Sequence, residues 1–203
     1  MTRGGQLSKQ HTSIHGRRTV HDPPAQPFII SGIRNYDAGY PEPQATFTWW
    51  IGDIYAGNFG RERAERLNPF RSYLDRGIRW AGGSGYFVTP LPARFGLWAS
   101  VAREALLGTS GSQSFGTRES VDIRTALKSY TVWAARQLYL ENEAGSLQTG
   151  KSADVAVWDS DPFSVPTADV KEMHCELTLF RGKVLYHATG SPVQIRTHSA
   201  RSR

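Results

Sequence analysis

The sequence predicts an α/β fold, and three observations predict it. Residues 77–90 pass from a helix stop through a short apolar stretch (Ile78-Arg79-Trp80-Ala81) into a Gly-Gly-Ser-Gly turn. Residues 95–107 then show helical spacing, with Trp98, Val101, Ala102, Ala105 and Leu106 on one face. After Gly145 the pattern changes to short apolar, β-branched runs at 153–158, 177–180 and 184–187, separated by turn residues. Helix, short buried strand, glycine turn and helix again is the rhythm of an α/β barrel or a doubly wound sheet. In both folds ligands gather where a strand's C-terminal end meets its loop, which here is Ser84-Gly85.

Composition narrows the function classes. A chain of 203 residues can bury a sizeable core. Its net charge of +6 invites a nucleic-acid reading, but the basic residues are scattered. Modest clusters stand only at Arg17-Arg18 and at Arg196, Arg201 and Arg203. There is no aromatic-interleaved basic stripe and no zinc-finger signature, so a nucleic-acid partner is not expected. No apolar run approaches the ~20 residues of a membrane helix. One cysteine, Cys175, excludes an intramolecular disulfide and fits a reducing compartment, so a cytoplasmic location is expected.

Taken in order, residues 1–25 read as a disordered polar tail. Leu7, Ile14 and Val20 are too sparse for a secretory signal. His11 and His15 share helical spacing but have no third ligand at useful distance, and His21 adds nothing. Pro27-Phe28-Ile29-Ile30 reads as a short buried strand. The aromatic run at 46–51 is either a loop over a barrel end or a strand, with its aromatics in the core.

Residues 61–67 have good helix formers. Asn68 suits a cap and Pro69 the first turn of a helix that carries Phe70, Tyr73 and Leu74 on one face and stops at Gly77. Ser120 is expected to cap a helix with Asp122 in its first turn, burying Val121, Ala126 and Leu127. Thr131 is expected to cap another through Trp133, Ala134 and Leu138. Residues 153–158 form a strand, Asp159-Ser160-Asp161-Pro162 a turn, and 177–187 a β-hairpin turning at Arg181-Gly182-Lys183. Residues 189–203 close the chain as a polar, basic tail.

Several of these residues fall into one family's pattern. Gly150-Lys151-Ser152-Ala153-Asp154-Val155 resembles the G-K-x-A-D motif of the amidohydrolase superfamily. Ala126-Leu127, Tyr130-Thr131 and Ala134-Ala135 resemble its A-L, Y-T, A-A helix pair, and Gly182-Lys183-Val184 its final hairpin. Gly60-Arg61-Glu62-Arg63-Ala64, Arg71-Ser72-Tyr73-Leu74, Gly77-Ile78 and Gly52-Asp53 are similar to amidohydrolase family 3. The resemblance covers roughly residues 26–188.

It implies the C-terminal part of a (β/α)8 TIM-type barrel, about strands seven and eight with the following helices. The C-terminal β-strands of a small β-sandwich would follow. Residues 26–144 would then be partial barrel and 145–188 sandwich strands, between the two tails. The family activity it implies is metal-dependent hydrolysis of non-peptide C–N bonds, with a zinc-type divalent ion activating water. In the family a strand-eight aspartate in a G-S-D motif binds metal and accepts the proton of that water. Here the motif reads Gly83-Ser84-Gly85, and a glycine can do neither.

The His-x-His pair and mid-barrel ligands are not found, and 203 residues cannot hold eight βα units, which need about 250. A truncated, inactive chain that binds no metal is therefore expected. Exposed apolar faces would favour self-association or docking on a full-length amidohydrolase. Ser84 is not in a G-x-S-x-G elbow and has no His–Asp pair to serve it. His174 and Cys175 are adjacent, so a strand would send them to opposite faces, and joint metal binding by the two is not expected.

Overall fold

The computed structural model describes residues 40–108 and 113–195. The strand expected at 27–30, the histidines at 11, 15 and 21, the tail at 1–25 and the last residues of the basic tail lie outside them.

Helix α1 spans Thr46–Phe59. The run at 46–51 is therefore neither loop nor strand. Its aromatics are spread around a helix, with Trp49 packed on the core and Trp50 exposed. A short α2, Arg61–Ala64, follows the Gly60 break, and α3 spans Phe70–Asp75. Phe70 and Tyr73 are buried and the chain leaves the helix at Gly77, φ +69°, as the spacing predicts. Asn68 does not cap α3. It is itself in the left-handed region at φ +53°, buried, and its Nδ2 donates to the Gln44 carbonyl and to Thr48 Oγ1, both at 3.0 Å.

The expected strand at 78–81 is extended but carries only half a ladder. Ala81 N–H donates to Pro41 O at 3.1 Å and Gly83 N–H to Pro43 O at 3.2 Å. Alternate donors reaching alternate acceptors in the same chain direction is one side of a parallel pairing. The return bond to Ala81 O would come from Pro43, which has no N–H to give. On its other side Gly82 N–H donates to Ser129 O at 3.0 Å.

Helix α4, Ala93–Ala102, ends well before Leu107 because Arg103 turns left-handed at φ +53°. Trp98 is fully buried as expected, but Ala105 is buried from outside the helix and Leu106 is exposed. Helix α5 is Ile123–Tyr130 and α6 is Val132–Gln137. Asp122, not Ser120, caps α5, with its Oδ1 accepting from Thr125 N–H at 2.6 Å. Thr131 stands at the start of α6, but its hydroxyl donates backward to Leu127 O. Leu138 is exposed while Ala135 is buried.

Among the described residues one antiparallel sheet forms, in the order β1-β2-β3, from β1 (Val155–Trp158), β2 (Cys175–Phe180) and β3 (Lys183–His187). The β2–β3 hairpin turns on Arg181 and Gly182, at φ +50° and +74°. Two successive positive φ values are what a tight hairpin turn needs, and glycine supplies the second without strain. The core centres on Trp80. Its ring stacks on Phe70 at 5.1 Å and meets Trp133 edge-on at 4.9 Å, with Leu97, Trp98 and Ala126 around it. A 3₁₀ turn, Thr167–Glu172, ties the β region to α4: Val170 is buried in this core and Lys171 lies over the Trp98 ring at 4.5 Å.

Candidate functional site

The loop end at Ser84-Gly85 is built from three directions. From the N-terminal side come Gln44, just before α1, and Thr46 and Phe47 in its first turn. From behind, Thr89 returns after the turn, with Val88 N–H donating to Gly85 O at 2.9 Å. From below, Tyr130 of α5 stands under the glycines.

The Ser84 carbonyl is clamped by two buried hydroxyls. Thr46 Oγ1 donates to it at 2.8 Å, Thr89 Oγ1 donates to it as well, and the two hydroxyls lie 2.9 Å apart. The Ser84 hydroxyl accepts from Tyr86 N–H at 3.1 Å, a turn contact. The Tyr130 hydroxyl donates to Gly83 O at 3.3 Å, and burial pushes its pKa up. The Tyr130 ring explains two glycines. A Cβ at Gly82 would overlap the edge of the ring and one at Gly96 would overlap its hydroxyl.

Gly85 itself is left-handed, φ +72°. An added Cβ would stand 2.6 Å from Gln44 Oε1 and 2.9 Å from Phe47 Cζ. The space in which a side chain at 85 would begin is thus filled by an amide and an aromatic edge. Beyond it the turn opens outward: Tyr86, Phe87, Val88 and Leu91 are exposed, Phe87 at 86%. No three His, Cys, Asp or Glu side chains converge among the described residues in a way that could hold a metal ion.

The motif residues found along the chain have visible structural tasks. Asp53 Oδ2 accepts from Leu107 N–H at 2.9 Å, and Gly52 gives room to Phe115 Cε1, 3.2 Å from where its Cβ would be. Ser72 donates through both its backbone N–H and its hydroxyl to Glu119, at 2.9 and 2.6 Å. Lys151 Nζ holds the Glu141 carbonyl at 2.6 Å and Ser146 Oγ at 2.8 Å. Asp154 Oδ1 accepts from Arg181 N–H at 2.7 Å, pinning the hairpin turn to β1. His174 and Cys175 point apart: His174 Nδ1 lies 3.3 Å from Asp159 Oδ2, while Cys175 Sγ contacts Thr178 Oγ1 at 3.3 Å.

A family model described as the amidohydrolase family matches residues 39–186. The chain belongs to amidohydrolase family 3. It is 32% identical over 151 residues to an N-substituted formamide deformylase of Arthrobacter pascens, covering 73% of this chain and 27% of that one. It is 26% identical over 140 residues to a Bacillus subtilis strain 168 protein named as an amidohydrolase, YtcJ, covering 69% and 25%. Against both family members the chain spans about a quarter of the relative's length. Among solved structures it is similar to an amidohydrolase from Thermotoga maritima MSB8, with TM-score 0.46 and 22% identity over 62% of this chain and 28% of that chain. It is also similar to a Xaa-Pro dipeptidase, with TM-score 0.47 and 17% identity over 71% and 33%.

This family is generally metal-dependent. At the position where the sequence pattern expects the metal-binding carboxylate, the residues present do not fit a metal. Gly85 has no side-chain donor, its carbonyl oxygen accepts from Val88 N–H, its backbone disfavours any side chain, and the neighbouring Gln44 Oε1 is a neutral amide oxygen.

Sequence reasoning pointed to Gly85 and missed its surroundings. Gln44, Phe47 and the Thr46–Thr89 clamp carry no motif, and the Y-T pattern that includes Tyr130 does not say that its ring wedges under the glycines. Their one sequence signal is the density of glycine at 82, 83 and 85, which marks a close approach without naming what approaches.

Proposed function

We propose that this chain is the C-terminal, barrel-closing portion of a hydrolase acting on non-peptide carbon–nitrogen bonds, and that alone it is not a hydrolase. The substrate class follows the formamide deformylase relative, whose name gives N-substituted formamides. The portion supplied would be the strand-eight loop, the helices behind it and the closing β-strands. In that reading Gly85 stands at the position of the family's proton-accepting, metal-binding aspartate. The single observation that carries it is the geometry there: φ +72° at Gly85, with Gln44 Oε1 2.6 Å from where a Cβ would be. A base is required to take the proton from attacking water, and this position offers none.

The test is an assay of the purified 203-residue chain. N-substituted formamides are supplied with Zn²⁺, Mn²⁺ or Co²⁺. No turnover above the buffer rate is expected, and turnover abolished by a chelator overturns the reading.

A second reading, a non-catalytic module that docks on itself or on a full-length amidohydrolase, is favoured by the exposed Tyr86, Phe87, Val88 and Leu91. Size-exclusion chromatography with light scattering, with and without the A. pascens deformylase, tests it. A monodisperse dimer or a one-to-one complex supports docking, while monomer in both runs contradicts it. The described helices include none long and apolar enough to cross a membrane, and the scattered basic residues do not suggest nucleic acid.

A further inference from the structure

We infer that the strand-eight position in this chain is not an empty metal socket but a plugged turn, with Gln44 and Phe47 holding the space a carboxylate would need. The inference rests on the reading of Gly85 given under Proposed function, and it goes further by assigning a role to residues that no motif marks.

Three observations converge. The left-handed backbone at Gly85, φ +72°, is strained for any L side chain. Gln44 Oε1 and Cδ stand 2.6 and 3.1 Å from the place of a Cβ there, and Phe47 Cζ stands 2.9 Å away, all inside ordinary contact. The carbonyl just before Gly85 is fixed by Thr46 and Thr89, so the turn cannot simply rotate to relieve the crowding. Gln44 is also fixed at its own backbone, where its carbonyl accepts from the buried Asn68 side chain at 3.0 Å. Its side chain is therefore the part able to yield. Plug and turn are coupled: any side chain at 85 must displace the Gln44 amide.

The coupling separates this inference from the loss of a single ligand. If the space beside Gly85 were open, Gly85→Asp would lose only what its left-handed backbone costs, whatever residue stands at 44. If the site is plugged, Gly85→Asp lowers Tm and binds no metal. Gln44→Ala opens the space and returns part of the lost Tm.

The experiment is a double-mutant cycle on the full chain, with wild type, Gly85→Asp, Gln44→Ala and the double variant followed by thermal unfolding. Each is also titrated with Co²⁺ and watched for visible absorption bands. Expected are a Tm drop for Gly85→Asp, a small change for Gln44→Ala, and a double variant less destabilised than the two single shifts predict together. Stoichiometric Co²⁺ is expected in none. Additive Tm shifts, or Co²⁺ bands in Gly85→Asp with Gln44 in place, overturn the plug. Should Gly85→Asp fail to fold, Gly85→Ala runs the same cycle, because its Cβ meets the same amide. None of these readouts needs turnover, so hydrolysis by the wild-type chain would defeat the functional reading while the coupling is judged separately.

Discussion

The Arg103 guanidinium lies in the core with its Nη2 2.8 Å from the Leu67 carbonyl oxygen, and its partners among the described residues are carbonyl and hydroxyl oxygens. The same nitrogen donates to Glu65 O at 3.0 Å. Nη1 donates to Asn68 O at 3.1 Å and Thr48 Oγ1 at 3.4 Å, and Nε donates to Gly116 O at 3.1 Å. One side chain thus ties α1, the turn between α2 and α3, and the loop before α5. Burial pulls its pKa down to about 10, with Glu119 and Glu65 opposing, which leaves it charged at neutral pH.

Arg103→Met should therefore be among the most destabilising single changes. It removes the donor of four carbonyls at once, and a buried acceptor left unsatisfied costs about 1–3 kcal/mol. Arg103→Lys should recover little, because an ammonium cannot reproduce the planar fork. Urea denaturation of the two variants checks both statements. A Lys variant as stable as wild type would contradict the fork argument.

Gly96→Ala should destabilise through Tyr130. The new methyl meets the tyrosine hydroxyl end, and overpacking of this kind costs about 1–3 kcal/mol. Tyr130→Phe should cost about 0.5–1.5 kcal/mol for the bond to Gly83 O. Combined with Gly96→Ala, it should cost less than the sum, since removing the hydroxyl eases the overlap. Additive losses in denaturation midpoints would show that ring and glycine do not press on each other.

Asp122 should make stability depend on acid. The Thr125 N–H holds its carboxyl below the ordinary range, so the native pKa lies under the unfolded one. Its contribution is complete above the usual carboxylate value of ~3.9 and fades as pH falls through the native pKa. Asp122→Ala should cost about 1 kcal/mol at pH 7 through loss of the cap. Asp122→Asn should retain the cap and flatten the acid limb below pH ~4. Stability curves measured from pH 3 to 7 for the three proteins decide this.

Trp80→Ala should open the core where Phe70, Tyr73 and Trp133 meet, at a cost of about 3–5 kcal/mol. A matching loss of near-ultraviolet circular dichroism is expected, because the aromatic cluster orders around this ring. A small stability change would place the organising contact elsewhere.

What was legible in the sequence followed from local chemistry. The stop at Gly77, the burial of Phe70, Tyr73 and Trp98, and the Arg181-Gly182 hairpin depend on residues close in sequence. The failures depend on distant ones. The expected strand at 78–81 has for its neighbour a segment with proline at 41 and 43, almost forty residues away, so only half the ladder forms. The helix predicted through Leu107 stops where Arg103 must reach Gly116 and the turn before α3. The aromatic run at 46–51 is β-like in composition, yet it is helical because Trp49 packs across Phe95 and Trp98, at 6.0 and 5.7 Å. At the loop end the close approach marked by Gly82, Gly83 and Gly85 was readable, while the Gln44 and Phe47 that pack against Gly85 were not.

The Gly83-Ser84-Gly85 turn of this chain should hold no catalytic metal. Equilibrium dialysis of the wild-type chain against Co²⁺, with visible spectra of the retained protein, tests it most directly. Less than stoichiometric cobalt and no ligand-field bands are expected. One tightly held Co²⁺ per chain, with bands that zinc displaces, would contradict it.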